Sequence, residues 1–417
     1  MTTLAAPSVD FRDDRIFTDS RNFTDMVAWH RAAADLRRGG PIHHFSDPAY
    51  GEFWAVVHHG ALLKVSRQPE IFPNTKDAAF IGGGKAAYTE MQADLPFEVK
   101  TLLSMDGEEH ITYRKVVSDW FKPSAVRRLQ IAVDDLVAES MADLHERDGE
   151  LDFAMDVAVP LPLRVIMAML GVPRADEPLM LKLTQEMFSA ADPELGSGNA
   201  FEAMGEMVTY FLDLVAARRA EPTADLTSAI ANATIDEEPI DMVAMMGLFA
   251  VLASAGHDTT SFAMAGGVQE LSRRPDEFQR LRHDPSLAQN GAHEVVRITS
   301  PVRHFTRLTT RDVEVAGHVF HEGDRVLLSY PSANRDESVF SDPDRLDLGR
   351  PNASYQVGWG KGPHYCLGAR LAQMEITALL AGLAREVTSI EPAGDAAWSA
   401  GHFVSGVKHL PLRCQLA

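Results

Sequence analysis

The longest uncharged stretch of the chain, residues 242–256, contains only Met, Val, Ala, Gly, Leu, Phe and Ser. Fifteen such residues fall short of the roughly 20 that span a bilayer. The stretch therefore reads as a helix apolar on every side, which must be covered by other protein. Residues 125–144, 179–188, 201–219, 242–271, 285–298 and 367–385 carry apolar residues at helical spacing and supply that cover. Strand-like segments are short: residues 54–57, 313–315, 325–329 and a C-terminal pair around Phe403 and 410–413, with Gly317 and Gly323 as turn signals. No repeat or Gly/Ser-rich linker divides the sequence. The expected fold is mainly α with small β-sheets, a single large domain over residues 21–417 behind a flexible segment 1–20. Residues 75–100, with Gly82, Gly83 and Gly84, read as one long irregular segment.

Charge narrows the possible partners. The 417 residues hold 39 Lys+Arg against 59 Asp+Glu, a net charge of −20. A phosphate polymer or an anionic lipid surface needs a basic face, so neither nucleic acid nor a membrane is expected as the main partner. Two cysteines, Cys366 and Cys414, are too few for a disulfide framework or an all-Cys metal site. Residues 1–15 have no apolar core of the kind a signal peptide or anchor requires. A cytoplasmic location is expected. Two motifs fail on inspection. Gly84-Lys85 lacks the Ser/Thr and first Gly of a phosphate loop, and His293-Glu294 meets Arg297 where a zinc-protease helix needs its second His.

The most informative segment runs Gly358-Trp359-Gly360-Lys361-Gly362-Pro363-His364-Tyr365-Cys366-Leu367-Gly368-Ala369. Three glycines before a cysteine permit a tight loop whose amides turn toward one sulfur, and a helix beginning just after Cys366 brings its positive end there. Both favour thiolate over thiol. Gly368, lacking a Cβ, lets a flat group approach. A lone thiolate so cradled suits one metal–sulfur bond to a cofactor supplying its other ligands; it equally suits a buried structural cysteine. The segment resembles the haem-binding signature of bacterial cytochromes P-450, with Trp359 where that signature has Phe. The resemblance implies the P-450 fold, with haem b held between an oxygen-binding helix and the Cys-loop helix. Cys366 is then the iron ligand, Trp359, Gly360 and Gly368 lie against the cofactor, and His364 meets a propionate.

Other motifs follow in the family's order. Ala255-Gly256-His257-Asp258-Thr259-Thr260 interrupts the apolar run. Val251, Ser254, Ala255, Asp258 and Thr259 recur at helical spacing and are read as one face. Thr259 can simply bond back to the carbonyl four residues earlier; the resemblance instead makes Asp258 and Thr259 the acid and alcohol of oxygen activation. Glu294 and Arg297, an i, i+3 pair, are similar to the family's structural ion pair and recruit Arg350. Glu277 and Arg280 share that spacing and read as a solvated helix face. Arg307, ending Ser300-Pro301-Val302-Arg303-His304-Phe305-Thr306-Arg307, and the i, i+4 pair His110 and Arg114 are implied propionate contacts. Segments 177–185 and 328–336 resemble a bacterial α-terpineol hydroxylase and its relatives.

The implied activity is insertion of one oxygen atom from O₂ into a C–H bond of a small, neutral, hydrophobic substrate, a monoterpenoid or alkyl-aromatic. No flavin or Fe–S segment is visible, so a separate iron–sulfur ferredoxin and its reductase supply electrons. Val251, Ser254, Ala255, Val302, Phe403 and Val404 are the expected substrate contacts. A peroxide-using or isomerising haem-thiolate enzyme, and a haem sensor or ligand carrier, are the alternatives.

Overall fold

The computed structural model describes residues 13–74, 100–188, 191–196 and 199–417, so the expected irregular segment lies, but for Lys100, outside the described residues. The chain is mainly helical with small sheets. Six helices build the interior: α1 (Gly107–Ser118), α2 (Gln130–Glu146), α3 (Met242–Ala255), α4 (Asp258–Ser272), α5 (Leu287–Thr299) and α6 (Ala369–Glu386). α6 packs on α2 and α5, and α4 lies against α5 and α6. Asp241 starts α3, its carboxylate accepting from the Ala244 amide at 2.9 Å.

The span 242–271, expected as one helix, breaks at Gly256 and His257. A Cβ on Gly256 would come within 2.7 Å of both the Ile166 side chain and the Leu252 carbonyl, so the chain passes Ile166 only as glycine. His257 then leaves helical geometry at φ −121°. By length and composition Met242–Ser272 could cross a membrane, yet 67% of its apolar window is buried inside the protein.

Strands β1 (Ile42–Asp47), β2 (Gly51–Val56), β3 (His304–Leu308) and β4 (Arg325–Ser329) form a sheet in the order β1-β2-β4-β3. β2 and β4 run parallel with Trp54 opposite Val326; the other pairs are antiparallel. Central β4 is covered on both faces, and its Val326, Leu327 and Leu328 are all buried. A second sheet sets Pro411–Leu416 between Val387–Pro392 and Glu150–Asp152. The strand expected around Phe403 is reduced to a single bridge between Val302 and Val404, because Arg303 reaches across and donates to the Ser405 hydroxyl and carbonyl at 2.7 and 2.8 Å. The packed structure also begins before residue 21. Ile16 and Phe17 are buried, and the Trp29 indole donates to the Ile16 carbonyl at 2.9 Å.

One buried carboxylate organises the segment that leads to Cys366. Glu294, fully inaccessible, receives Arg297 through two bonds of 2.7 and 2.8 Å and Arg350 at 3.0 Å. The same guanidinium groups hold backbone carbonyls of irregular chain. Arg297 donates to Asn334, Pro343 and Arg345, and Arg350 to Ser341, Asp342 and Arg345. The pair expected on a solvated face is only half so. Arg280 is half exposed, but Glu277 is buried and accepts from the Leu348 amide at 2.8 Å. Removing one member of a buried ion network leaves its partners uncompensated. Glu294→Ala is expected to cost about 3–5 kcal/mol in chemical denaturation, and Arg413→Ala, which breaks an exposed pair with Glu150, less than about 1 kcal/mol.

Candidate active site

The Cys366 loop is built from the hydrogen bonds its glycines permit. The Gly360 amide donates to the Val357 carbonyl at 2.8 Å, the Cys366 amide to the Trp359 carbonyl at 2.8 Å, and the Tyr365 amide to the Gly362 carbonyl at 3.0 Å. Gly360 and Gly362 sit at φ +70° and +80°, the left-handed region that costs glycine least. α6 starts at Ala369, capped by Gly368. Burial pushes the Cys366 thiol up; the amides of Gly368 and Ala369 and the Arg114 guanidinium act against it. What accessible surface the sulfur has belongs to an interior cavity.

That cavity, about 1440 Å³ including its open mouth, unites most of the expected residues. Trp359, Gly360, His364, Cys366 and Gly368 form one part of its lining; Val251, Ala255 and Thr259 of α3 and α4 form another. His110, Arg114 and Arg307 complete a basic group with His364. His110 is buried, its Nε2 has no partner, and burial with the nearby His364 and Arg114 pushes it down to about 4. Burial also lowers Arg114, Arg307 and His364. The cations have few anions to meet: Arg114 donates to the Tyr365 carbonyl at 2.6 Å, Arg307 to the Thr306 carbonyl at 2.7 Å, and Asp106 lies 3.4 Å from His364.

These residues fit haem on their own chemistry. Four desolvated basic groups with so little compensation call for carboxylates. A Cβ built on Gly368 meets nothing within 4 Å, so a flat face is open there. The lone thiol beside them is a ligand for one axial position. Among the described residues no cluster of three His, Cys, Asp or Glu forms an all-protein metal site.

Four expected residues stand elsewhere. Ser254 is buried and donates to the Ala250 carbonyl, and Asp258, 4% exposed, turns toward His257. The face assumed for α3 and α4 was too wide: at 100° per residue, positions 254 and 258 stand a quarter-turn from the 251, 255, 259 and 263 row that lines the cavity. Phe403 stands behind Phe305, ring centroids 5.3 Å apart, and Val404 is buried in its bridge to Val302. Val302 lines the cavity as expected, and Thr259 does so while its hydroxyl donates to the Ala255 carbonyl at 3.1 Å.

Sequence reasoning missed Phe305, Leu252, Ala263 and Glu375. Glu375 is buried in α6 with both carboxyl oxygens unpartnered, and burial pushes it well above the usual carboxylate range. Its signal was legible, since Glu375 stands four residues from both Leu371 and Leu379 on an apolar stripe.

Comparison with known proteins agrees with this geometry. Residues 200–387 match the family model described as Cytochrome P450. Cytochrome P450-terp of a Pseudomonas species is 35% identical over 408 residues, covering 94% of this chain and 95% of that one. Linalool 8-monooxygenase of Pseudomonas putida is 30% identical, covering 93% and 96%. Among solved structures, CYP108D1 from Novosphingobium aromaticivorans superposes with a TM-score of 0.89 at 34% identity, covering 97% and 98%. CYP268A2 of Mycobacterium marinum, in complex with pseudoionone, gives 0.87 at 28%, covering 99% and 100%.

The cavity walls predict which substitutions matter to a ligand. Ala255→Phe adds bulk to the lining and is expected to weaken uptake of a small neutral hydrocarbon at least about tenfold in optical or calorimetric titration. Ser254→Ala, off the cavity, is expected to leave that affinity unchanged.

Proposed function

Because the chain belongs to the cytochrome P450 family, a family of haem b oxidoreductases, we propose that it hydroxylates a small, neutral, hydrophobic molecule of the monoterpenoid or alkyl-aromatic kind, with O₂ and electrons from a separate ferredoxin. The observation that carries this reading is the cavity itself, which has a thiol and the basic side chains His110, Arg114, Arg307, Lys361 and His364 in its lining together with an apolar wall.

In this reading Cys366 Sγ would bind the iron, and His110, Arg114, Arg307 and His364 would hold the propionates, which would relieve their desolvation. Haem, when bound, supplies the activation of dioxygen, favoured by thiolate donation. The protein supplies substrate position, proton supply and exclusion of water. Val251, Leu252, Ala255, Ala263, Val302 and Phe305 offer a substrate only hydrocarbon surface, so a neutral molecule gains about 25 cal/mol per Å² it buries. A carboxylate or ammonium would lose hydration there without a partner, since the cavity's cations serve the propionates. The Thr259 hydroxyl, facing the cavity, passes a proton at Oγ1, and Asp258 behind it is the acid that replenishes it. The names linalool 8-monooxygenase and the pseudoionone complex support the same class, for both molecules are neutral and mostly hydrocarbon.

Electron entry is assigned to the face where α1 meets the Cys loop. Arg114 joins the two elements, Lys115 lies on α1, and Lys361 and exposed Arg370 flank Cys366. A locally basic face on a chain of net charge −20 suits an acidic ferredoxin. A protein so equipped works in the cytoplasm, where its reductase is kept supplied with NADH.

Two outcomes test the reading. Reduced protein under carbon monoxide is expected to show the red-shifted Soret band of thiolate ligation, lost in Cys366→His and kept in Cys414→Ser, whose sulfur is buried in the second sheet. Titration of the ferric protein with neutral monoterpenes, alkylbenzenes, fatty acids and benzoates is expected to give the tightest binding and largest spin-state shift with the neutral compounds, which then yield alcohols with NADH, ferredoxin, reductase and O₂. Tighter binding of the acids would overturn the substrate class and leave the monooxygenase standing.

A further inference from the structure

His257 occupies the break between α3 and α4. Its main chain does a helix-starting task, the carbonyl accepting from the Ser261 amide and hydroxyl, both at 2.9 Å. Its side chain has no such task. The imidazole is wholly inaccessible, with Nε2 3.0 Å from Asp258 Oδ1 and out of line for a straight hydrogen bond. Nδ1 and Asp258 Oδ2 have no partner. A polar dipeptide enclosed this way is a poor choice for packing alone, because apolar side chains would fill the same space without unmet polar atoms.

We propose that His257 is a positioning residue for proton delivery: from 3.0 Å, a small rotation of the two side chains brings the Asp258 carboxyl O–H into line with Nε2, which accepts it, holding that carboxyl in place and keeping a proton on it. The proposal rests on reading Asp258 as the acid behind Thr259. Within the dyad one proton is shared. Moving it from Oδ1 to Nε2 converts acid and imidazole into carboxylate and imidazolium, with no change in net charge, so the apolar surroundings oppose neither state as strongly as they would a lone charge.

Charges on the neighbouring elements are largely engaged elsewhere; His293 on α5 meets Gln373 at 3.0 Å, and burial and the nearby Lys361 lower it. α3 carries none. On the elements packed against α4, Asp156 is paired with Arg147, Arg164 with Glu139 and Glu177, Glu294 with Arg297 and Arg350, Glu277 with Arg280, and Lys408 and His409 with Asp192, Glu194 and Asp152. Glu375, which burial pushes well above the usual carboxylate range, lines the cavity. Burial lowers His257, opposed only by Asp258, and raises Asp258, opposed only by His257. Burial therefore favours the neutral imidazole, the form that can accept.

The sign of the pH effect follows. An imidazolium at His257 lowers the Asp258 carboxyl, whereas a neutral imidazole that accepts its O–H raises it, so losing the neutral acceptor makes Asp258 ionise at lower pH. In the haem-loaded enzyme with its ferredoxin, His257→Phe is expected to slow turnover about tenfold and to move the alkaline limb of the rate profile acidward by about one pH unit. It is also expected to enlarge the solvent deuterium isotope effect, while the carbon-monoxide band and substrate binding stay as in the wild type. His257→Gln, whose side-chain carbonyl still accepts, restores most of the rate and the limb. In the Asp258→Asn background, His257→Phe adds no further loss. If Asp258→Asn slows turnover while His257→Phe runs at the wild-type rate, or if the two losses simply add, the role given to His257 is wrong and that of Asp258 survives. If Asp258→Asn changes neither rate nor product per NADH, the proton-delivery reading falls and takes His257 with it.

Discussion

The Glu294 carboxylate is the point from which the site is hung. It is wholly buried and binds two arginines; those arginines spend their remaining donors on carbonyls between Asn334 and Arg345. Asn334 carries the order onward, accepting at its side-chain oxygen from the Val357 amide at 2.7 Å. Val357 in turn accepts from Gly360 at the start of the Cys366 loop. A stretch with little regular structure is thereby held by charge-assisted bonds in a dry interior, where each is stronger and each loss more costly than at a surface. The position of the sulfur is inherited from this chain of contacts.

The cavity shows the opposite electrostatic condition. His110, Arg114, Arg307 and His364 are brought together with little anionic compensation, and burial works against the charge on all four. Such a gathering costs stability in the protein alone. On the proposed reading a dianionic cofactor would offset that cost, coupling its retention to the stability of the fold through binding linkage. In the same cavity burial works against charge on Glu375 as well, pushing its carboxyl well above the usual range.

Between these two regions runs the uncharged helix pair. Gly256 allows the close pass beside Ile166, and the resulting break turns His257 and Asp258 inward while Thr259 faces the cavity. A continuous helix would keep every carbonyl engaged in its own ladder. The interruption sets two buried polar side chains next to the cavity-lining Thr259 without opening them to solvent.

The local signals were strong where one residue's chemistry decides its surroundings. The apolar run 242–256 had to be a buried helix, the spacing of glycines around Cys366 had to be a tight loop with a helix after it, and the i, i+3 spacing of Glu294 and Arg297 permitted their bond. Local spacing did not separate that pair from Glu277 and Arg280, nor tell Ser254 and Asp258 from their cavity-lining neighbours, nor seat Phe403 behind Phe305. Those outcomes depend on which partner arrives from a distant part of the chain: the Leu348 amide at Glu277, Ile166 at Gly256, Ser405 at Arg303. The sequence by itself determined the helices, the thiolate loop and the kind of cofactor the loop suits. Only the tertiary structure decided which side chains reach the cavity, because a quarter-turn of a helix, set by packing against other elements, exchanges a buried face for a reactive one.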